Sequence, residues 1–155
     1  MVIILLEIIR RRDYMAGIIF ENYIVKEAFF KKNTNFNHKE SVNLSTDFQC
    51  HISIQDVYAT VQLTCSLGDI VDEASPFAIK VVLEGRFEFN EIESEGLTFE
   101  DYLSNNAIAI LFPYVRALIA DLLSRSNEFP ALNLPVINVA KMLQEKDSIK
   151  ISYEQ

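Results

Sequence analysis

The sequence has no tryptophan, and it holds only four glycines, four prolines, two cysteines and two histidines in 155 residues. Scarce glycine and proline exclude a disordered or low-complexity chain, which needs those residues in bulk. Cys50 and Cys65 make no CxxC pair and join no second cluster, so neither a disulfide framework nor a structural zinc site is expected. They read as two buried thiols of a reducing cytosol. His38 lies in a polar loop and His51 on the polar face of a strand, where solvated surface positions suit both. A metal site needs three or four converging ligands, and no such spacing occurs. There is no glycine-rich phosphate loop and no nucleophile elbow. Asp69, Asp72 and Glu73 fall in a turn, and Glu91, Glu93 and Glu95 follow a strand, so both groups read as solvated loops. No general base has a convincing partner, which argues against an enzyme and against any cofactor. Positive charge is also short, with 14 basic against 22 acidic residues and a net charge of −8. An acidic surface repels phosphates, so nucleic acid and anionic membranes are poor partners.

What is present fits one domain. Half the residues are hydrophobic, and a chain of this length buries roughly two-thirds of its unfolded surface without covalent staples. Residues 1–14 stand apart as an extension of the domain at 15–155. Val2 to Leu6 is apolar, and Arg10, Arg11 and Arg12 follow it. A secretory signal has the opposite order and a small-residue cleavage site. The run is also far short of the roughly 20 residues that span a bilayer, so no membrane insertion is expected. An added strand and a start codon placed too early are the two readings, with Met15 the preferred start.

From Ile18 to Glu91 the hydrophobic period is two. Val42, Leu44, Thr46, Phe48, Cys50, Ile52 and Ile54 alternate with polar residues, as do Val57, Ala59, Val61, Leu63, Cys65 and Leu67. Phe77, Ile79, Val81 and Leu83 continue the pattern through Gly85 to Phe87 and Phe89. Side chains on a strand point alternately to its two faces, so each run makes one apolar and one polar face. With Ile18 to Phe30 as a further strand, this predicts a four-stranded antiparallel sheet covered on one side. Gly85 inside a strand suggests a bulge or a close backbone approach.

After Gly96 the period becomes about 3.6. Thr98 and Asp101 have the spacing of a capping box. A short helix should follow, then a longer one from about Ala107 to Ser126. Ile108, Leu111, Val115, Leu118 and Leu122 form one stripe, and Phe112, Ile119 and Leu123 a second. One stripe suffices to cover a sheet, so the pair marks Ile108, Leu111, Val115, Leu118 and Leu122 as candidates for an oligomer interface. Pro113 should kink this helix or open it. The segment Ser126 to Ile137 carries two prolines and several large apolar residues, so it must pack on something. Asn138 can cap a last helix, Val139 to Lys146, before a polar tail. Strands followed by helices give an α+β fold, with the helices packed on one sheet face.

Eleven phenylalanines and six tyrosines remain to be placed. Any single one is by default core. Together Phe29, Phe30, Phe77, Phe87, Phe89 and Phe129 exceed what such a sheet needs, and an exposed apolar patch marks a binding surface.

The helical half also carries a specific pattern. Ile110-Leu111-Phe112-Pro113-Tyr114-Val115-Arg116, Leu123-Ser124-Arg125, Phe129-Pro130, Leu132-Asn133-Leu134 and Pro135-Val136-Ile137-Asn138 closely resemble the SecB family. There the corresponding motifs read ILFPYAR, VSRG, FP, LNL and PxN in the same order. Tyr23-Ile24-Val25-Lys26-Glu27, Asp56-Val57-Tyr58 and Ser66-Leu67-Gly68-Asp69 match more loosely, so the resemblance runs from about Ile18 to Lys146. It implies a cytoplasmic, ATP-independent chaperone that holds unfolded or nascent polypeptides for export. It implies a homotetramer built as a dimer of dimers, with a long apolar groove. Carried over by position, the groove takes in Ile24, Phe30, Val42, Leu44, Phe77, Phe129, Leu132, Leu134 and Leu143. The family docks on the export motor SecA through acidic residues of the sheet. Glu27 keeps an acid at such a position, while Lys31 and Lys80 stand where the best-known members carry Glu. Two other readings stay open: a SecB-like chaperone dedicated to the antitoxin of a toxin–antitoxin system, and a binder of a small apolar ligand.

Overall fold

A computed structural model describes residues 16–38, 41–129 and 133–155. The elements in chain order are β1 (Ile18–Lys32), β2 (Thr46–Gln55), β3 (Tyr58–Gly68) and β4 (Phe77–Phe89). A 3₁₀ turn (Glu91–Glu93), α1 (Phe99–Tyr102), a π-helical turn (Leu103–Ala107), α2 (Ile108–Ser126), α3 (Val139–Glu145) and β5 (Ile149–Tyr153) follow. The sheet order is β1-β4-β3-β2-β5, and the helices lie on one face.

The α+β reading therefore holds, but the four-stranded antiparallel sheet is corrected to five strands. β5 pairs with β2 in parallel, Cys50 opposite Ile149 and Ile54 opposite Tyr153. Its alternation, Ile149, Ile151 and Tyr153 against Lys150 and Ser152, is only five residues long and merges with a polar tail in sequence. The first of the alternating runs is also shorter than its pattern, since Val42 and Leu44 precede β2 and lie in irregular backbone.

β3, central in the sheet, shows why alternation works. Ala59, Val61, Leu63, Cys65 and Leu67 are buried, while Thr60, Gln62, Thr64 and Ser66 face the other side half-exposed. β1 sits at an edge and obeys a less regular rule. Its register with β4 slips between Phe20 and Asn22 and again between Val25 and Glu27. Each extra residue resets the parity, so Phe20, Tyr23, Val25, Ala28 and Phe30 all oppose core-facing or glycine positions of β4.

The helical layer follows the sequence closely. Thr98 and Asp101 form the capping box, each side chain accepting from the other's backbone N–H. Helix α2 buries Ile108, Leu111, Phe112, Val115, Ile119 and Leu123, a period-3.6 stripe wide enough to merge both predicted stripes. Gly85 makes the close approach expected of it. A side chain there would place its Cβ 2.7 Å from Leu111 Cδ2 and 2.8 Å from Phe87 Cε2. Pro113 lies within α2 on its exposed side, where the lost N–H removes one helical bond without ending the helix. From Phe99 to Ser126 the helical run is long and apolar enough to cross a membrane by length and composition alone. Here its apolar stripe is packed on the chain's own sheet. Asn138 caps α3, its side chain accepting from the Lys141 N–H at 3.0 Å.

Candidate functional site

Several chain segments meet at the end of the sheet where β1 finishes and β4 begins. Asn33, just past β1, is 3% exposed. Its Nδ2 donates to the Asp72 and Ser75 carbonyls, each at 2.8 Å, and its N–H donates to Pro76 O at 3.0 Å. The loop before β2 joins through Asn43 N–H to Ala74 O at 2.9 Å and Ser75 Oγ to Asn43 O at 2.7 Å. A buried amide with its donors satisfied fixes these loops rigidly.

On that frame Phe30 from β1, Phe77 from β4 and Phe129 from the loop after α2 converge. Ring centroids are 5.7 Å apart for Phe30–Phe77, 5.1 Å for Phe77–Phe129 and 6.2 Å for Phe30–Phe129. Such tilted pairs contribute about 0.5–1.5 kcal/mol beyond their burial. Phe77 is buried, whereas Phe30 and Phe129 are half-exposed, so the cluster has a solvent face. The loop that carries Phe129 is turned by Asn127, which ends α2 in the left-handed conformation at φ 55°. It is tied to β1 by Lys32 Nζ and Glu128 Oε1 at 2.6 Å. Leu44 packs beside Gly68 and the Phe77 backbone, and Val42 extends outward, 59% exposed.

The remaining groove candidates go elsewhere. Leu134 and Leu143 are buried, at 6% and 1%, and serve the core. Leu132 lies outside the described residues. Ile24 is 42% exposed and opposes Glu84, on the sheet face turned away from the helices. Glu27 occupies that same outer face, 3.2 Å from Lys80. Thus Phe30, Phe77 and Phe129 come together, Leu44 packs on the core near Gly68, Val42 is exposed in the loop before β2, and Ile24 lies on the other face of the sheet.

Among the interface candidates, Ile108, Leu111 and Val115 are fully buried within this one chain. A side chain with no exposed surface cannot touch another subunit, so these three are core residues. Leu118 and Leu122 flank the buried stripe and stay half-exposed.

Two apolar surfaces were not singled out from sequence. The first is an open cleft of about 430 Å³ between α2 and the segment before α3, lined by Phe112, Pro113, Arg116, Val136, Ile137 and Val139 among others. Arg116 builds it, with Nε donating to Leu134 O at 2.8 Å and its guanidinium over the Phe112 ring at 5.9 Å. Val136 is 84% exposed at its lip. The second is Tyr23 against Tyr114, centroids 4.4 Å apart, beside the edge of β1 that no other described strand covers. The bulges in β1 hide Tyr23 from a period-two reading.

The chemistry of the site is that of contact. Among the described residues no group of three His, Cys, Asp or Glu side chains could hold a metal ion. Cys50 and Cys65 are free and buried, and burial pushes both thiols up from 9.0 to about 12. His51 sits at the surface with Nε2 3.2 Å from Ser152 Oγ.

Residues 7–149 match the family described as preprotein translocase subunit SecB. An uncharacterised protein of Methanocaldococcus jannaschii is 34% identical over 136 residues, covering 84% of this chain and 85% of that one. The protein-export protein SecB of Zymomonas mobilis is 32% identical over 134 residues, covering 86% of this chain and 76% of that one. Among solved structures, a SecB-like chaperone of Mycobacterium tuberculosis, in complex with a peptide from the HigA1 antitoxin, shares the fold. Its TM-score is 0.62 at 13% identity, with 78% of this chain and 91% of that one covered.

Proposed function

The chain belongs to the SecB family, and we propose that it is a holdase, an ATP-independent chaperone that keeps polypeptides unfolded by contact. The observation that carries this is the Phe30–Phe77–Phe129 cluster, framed by the buried Asn33 yet open to solvent at Phe30 and Phe129. Unfolded chains share exposed apolar side chains and unpaired backbone groups. An apolar surface beside a sheet edge engages both without reading sequence. Apolar burial contributes about 25 cal/mol per Å², so length of contact replaces specificity. The long edge of β1, which no other described strand covers, and the half-exposed Leu118 and Leu122 support assembly into a homo-oligomer, a tetramer in the family pattern. Holding needs no catalytic step and no cofactor, and it suits a cytoplasmic protein that hands preproteins to SecA.

A second reading within the family is service to one client, an antitoxin. The shared fold of the mycobacterial chaperone, which holds an antitoxin peptide, favours it. Both readings are tested by titrating the purified protein into a labelled, permanently unfolded polypeptide, with the native form of the same polypeptide as control. Binding of many unfolded sequences establishes a general holdase. Binding of none but an antitoxin segment establishes the dedicated role. Binding of none at all removes both.

A further inference from the structure

The outer edge of β2 holds the chain's own C-terminal strand. The ladder opens with Cys50 N–H donating to Ser148 O at 3.0 Å and closes with Glu154 N–H donating to Ile54 O at 2.8 Å. Alternate residues of a parallel strand turn their backbone to the same neighbour. Lys150 and Ser152 therefore face β2 as Ser148 and Glu154 do. Ile149, Ile151 and Tyr153 stand in register with Cys50, Ile52 and Ile54, whose side chains are 3%, 0% and 6% exposed. Beneath β5, the β2 edge thus combines a row of backbone hydrogen-bonding groups with an apolar row.

The strand that covers it is thinly held. Ile151 keeps 39% of its surface exposed and Tyr153 66%. Four side-chain hydrogen bonds fasten it: Ser53 Oγ to Glu154 Oε1, Tyr153 OH to Glu100 Oε1, His51 Nε2 with Ser152 Oγ, and Ser152 Oγ to Ile52 O. The first three are exposed, where exchange with water leaves each a small net contribution, and the fourth is long, at 3.4 Å. What remains is backbone pairing and an apolar residue at every second position. Any extended segment of that pattern supplies both.

We propose that the β2 edge is a second polypeptide-binding site, which accepts an extended segment with apolar residues at alternate positions and from which that segment displaces β5. This rests on the chaperone reading above for the nature of the incoming chain. β5 follows α3 after a three-residue turn with Asp147 at φ 52°, and a tether this short gives it an effective concentration of about millimolar. A short free peptide loses that competition. A long unfolded chain that also engages the aromatic cluster wins it, so the resident strand filters clients by length.

The test uses the full chain. Ser53 and Ser152 are opposite each other in the ladder, and paired strand positions fall within the roughly 4.4–6.8 Å Cα range of a disulfide. S53C/S152C therefore locks β5 when oxidised and frees it when reduced. S152P removes a backbone N–H that faces β2 and releases the strand. The probes are a labelled peptide with the sequence of residues 147–155 and a labelled, permanently unfolded polypeptide. The peptide should bind S152P at least about tenfold more tightly than the wild type, as loss of a tethered competitor requires. The unfolded polypeptide should bind the oxidised double-cysteine protein at least about threefold more weakly than the reduced one, within the reach of one lost contact surface. Measurable but equal binding to the oxidised and reduced forms overturns the proposal and makes β5 a fixed part of the fold. Peptide binding to S152P, with no binding of unfolded polypeptide to any variant, keeps the strand site and removes the chaperone reading instead.

Discussion

Lys80 Nζ lies 3.2 Å from Glu27 Oε2 on the sheet face away from the helices. Lys80 opposes Phe29 across the β1–β4 pair and reaches the diagonal neighbour two residues earlier. Glu27, which the family resemblance marks as a candidate docking acid, is thus paired with a lysine of its own sheet. Both side chains are partly exposed, at 40% and 45%, so the pair contributes at most about 1 kcal/mol to stability.

That pairing predicts weak docking on an acid-seeking partner. K80E should raise affinity for SecA by about fivefold or more at low ionic strength, and the gain should shrink as salt screens it. Surface plasmon resonance at two salt concentrations reads both effects. Stability of the variant should fall by about 2 kcal/mol at most, the lost pair together with repulsion between two carboxylates.

Phe77 and Phe129 touch each other but answer to different demands. Phe77 is 3% exposed, and F77A should cost about 3–5 kcal/mol of stability by chemical denaturation. Phe129 lies half-exposed in a loop, so F129A should leave the melting temperature nearly unchanged. Its affinity for an unfolded polypeptide should nonetheless drop about tenfold, as for loss of an aromatic anchor. Equal binding by F129A and wild type in a fluorescence titration would take the aromatic cluster out of the client surface.

Gly85 is a packing requirement. A Cβ there meets Leu111 Cδ2 at 2.7 Å, and G85A should cost about 1–3 kcal/mol through overpacking. Adding L111V should recover part of that loss in urea unfolding, because it withdraws the clashing branch. No recovery would move the strain from this contact to the strand backbone.

The thiols make stability fall in alkali. Burial raises Cys50 and Cys65 from 9.0 to about 12 in the folded chain, so the unfolded chain ionises first as pH rises. Their contribution is complete below pH 9 and is lost progressively as pH climbs toward about 12. Denaturant midpoints at pH 8 and pH 10 should differ in that sense, and the difference should shrink in C50A/C65A. The same burial predicts that the native protein resists a thiol reagent at pH 8 until it is unfolded.

The sequence by itself determined four of the five strands, the helices and their caps, since these rest on local causes. Alternation over β2, β3 and β4, the Thr98–Asp101 box, the Asn138 cap and the tight place for Gly85 were all legible as patterns within a few residues. The motif around Phe112-Pro113-Tyr114 was enough to identify the family. Only tertiary structure decided which side each residue serves. Ile24 and Phe30 are six residues apart and would share a face of a regular strand, but the one register slip between them, at Val25/Glu27, puts them on opposite faces. Ile108, Leu111 and Val115 fit an interface stripe as well as a core stripe, and contact with the sheet made them core. Ile149 to Tyr153 is too short to hold an extended shape alone, and becomes a strand because the edge of β2 supplies the backbone partners that five residues cannot supply for themselves.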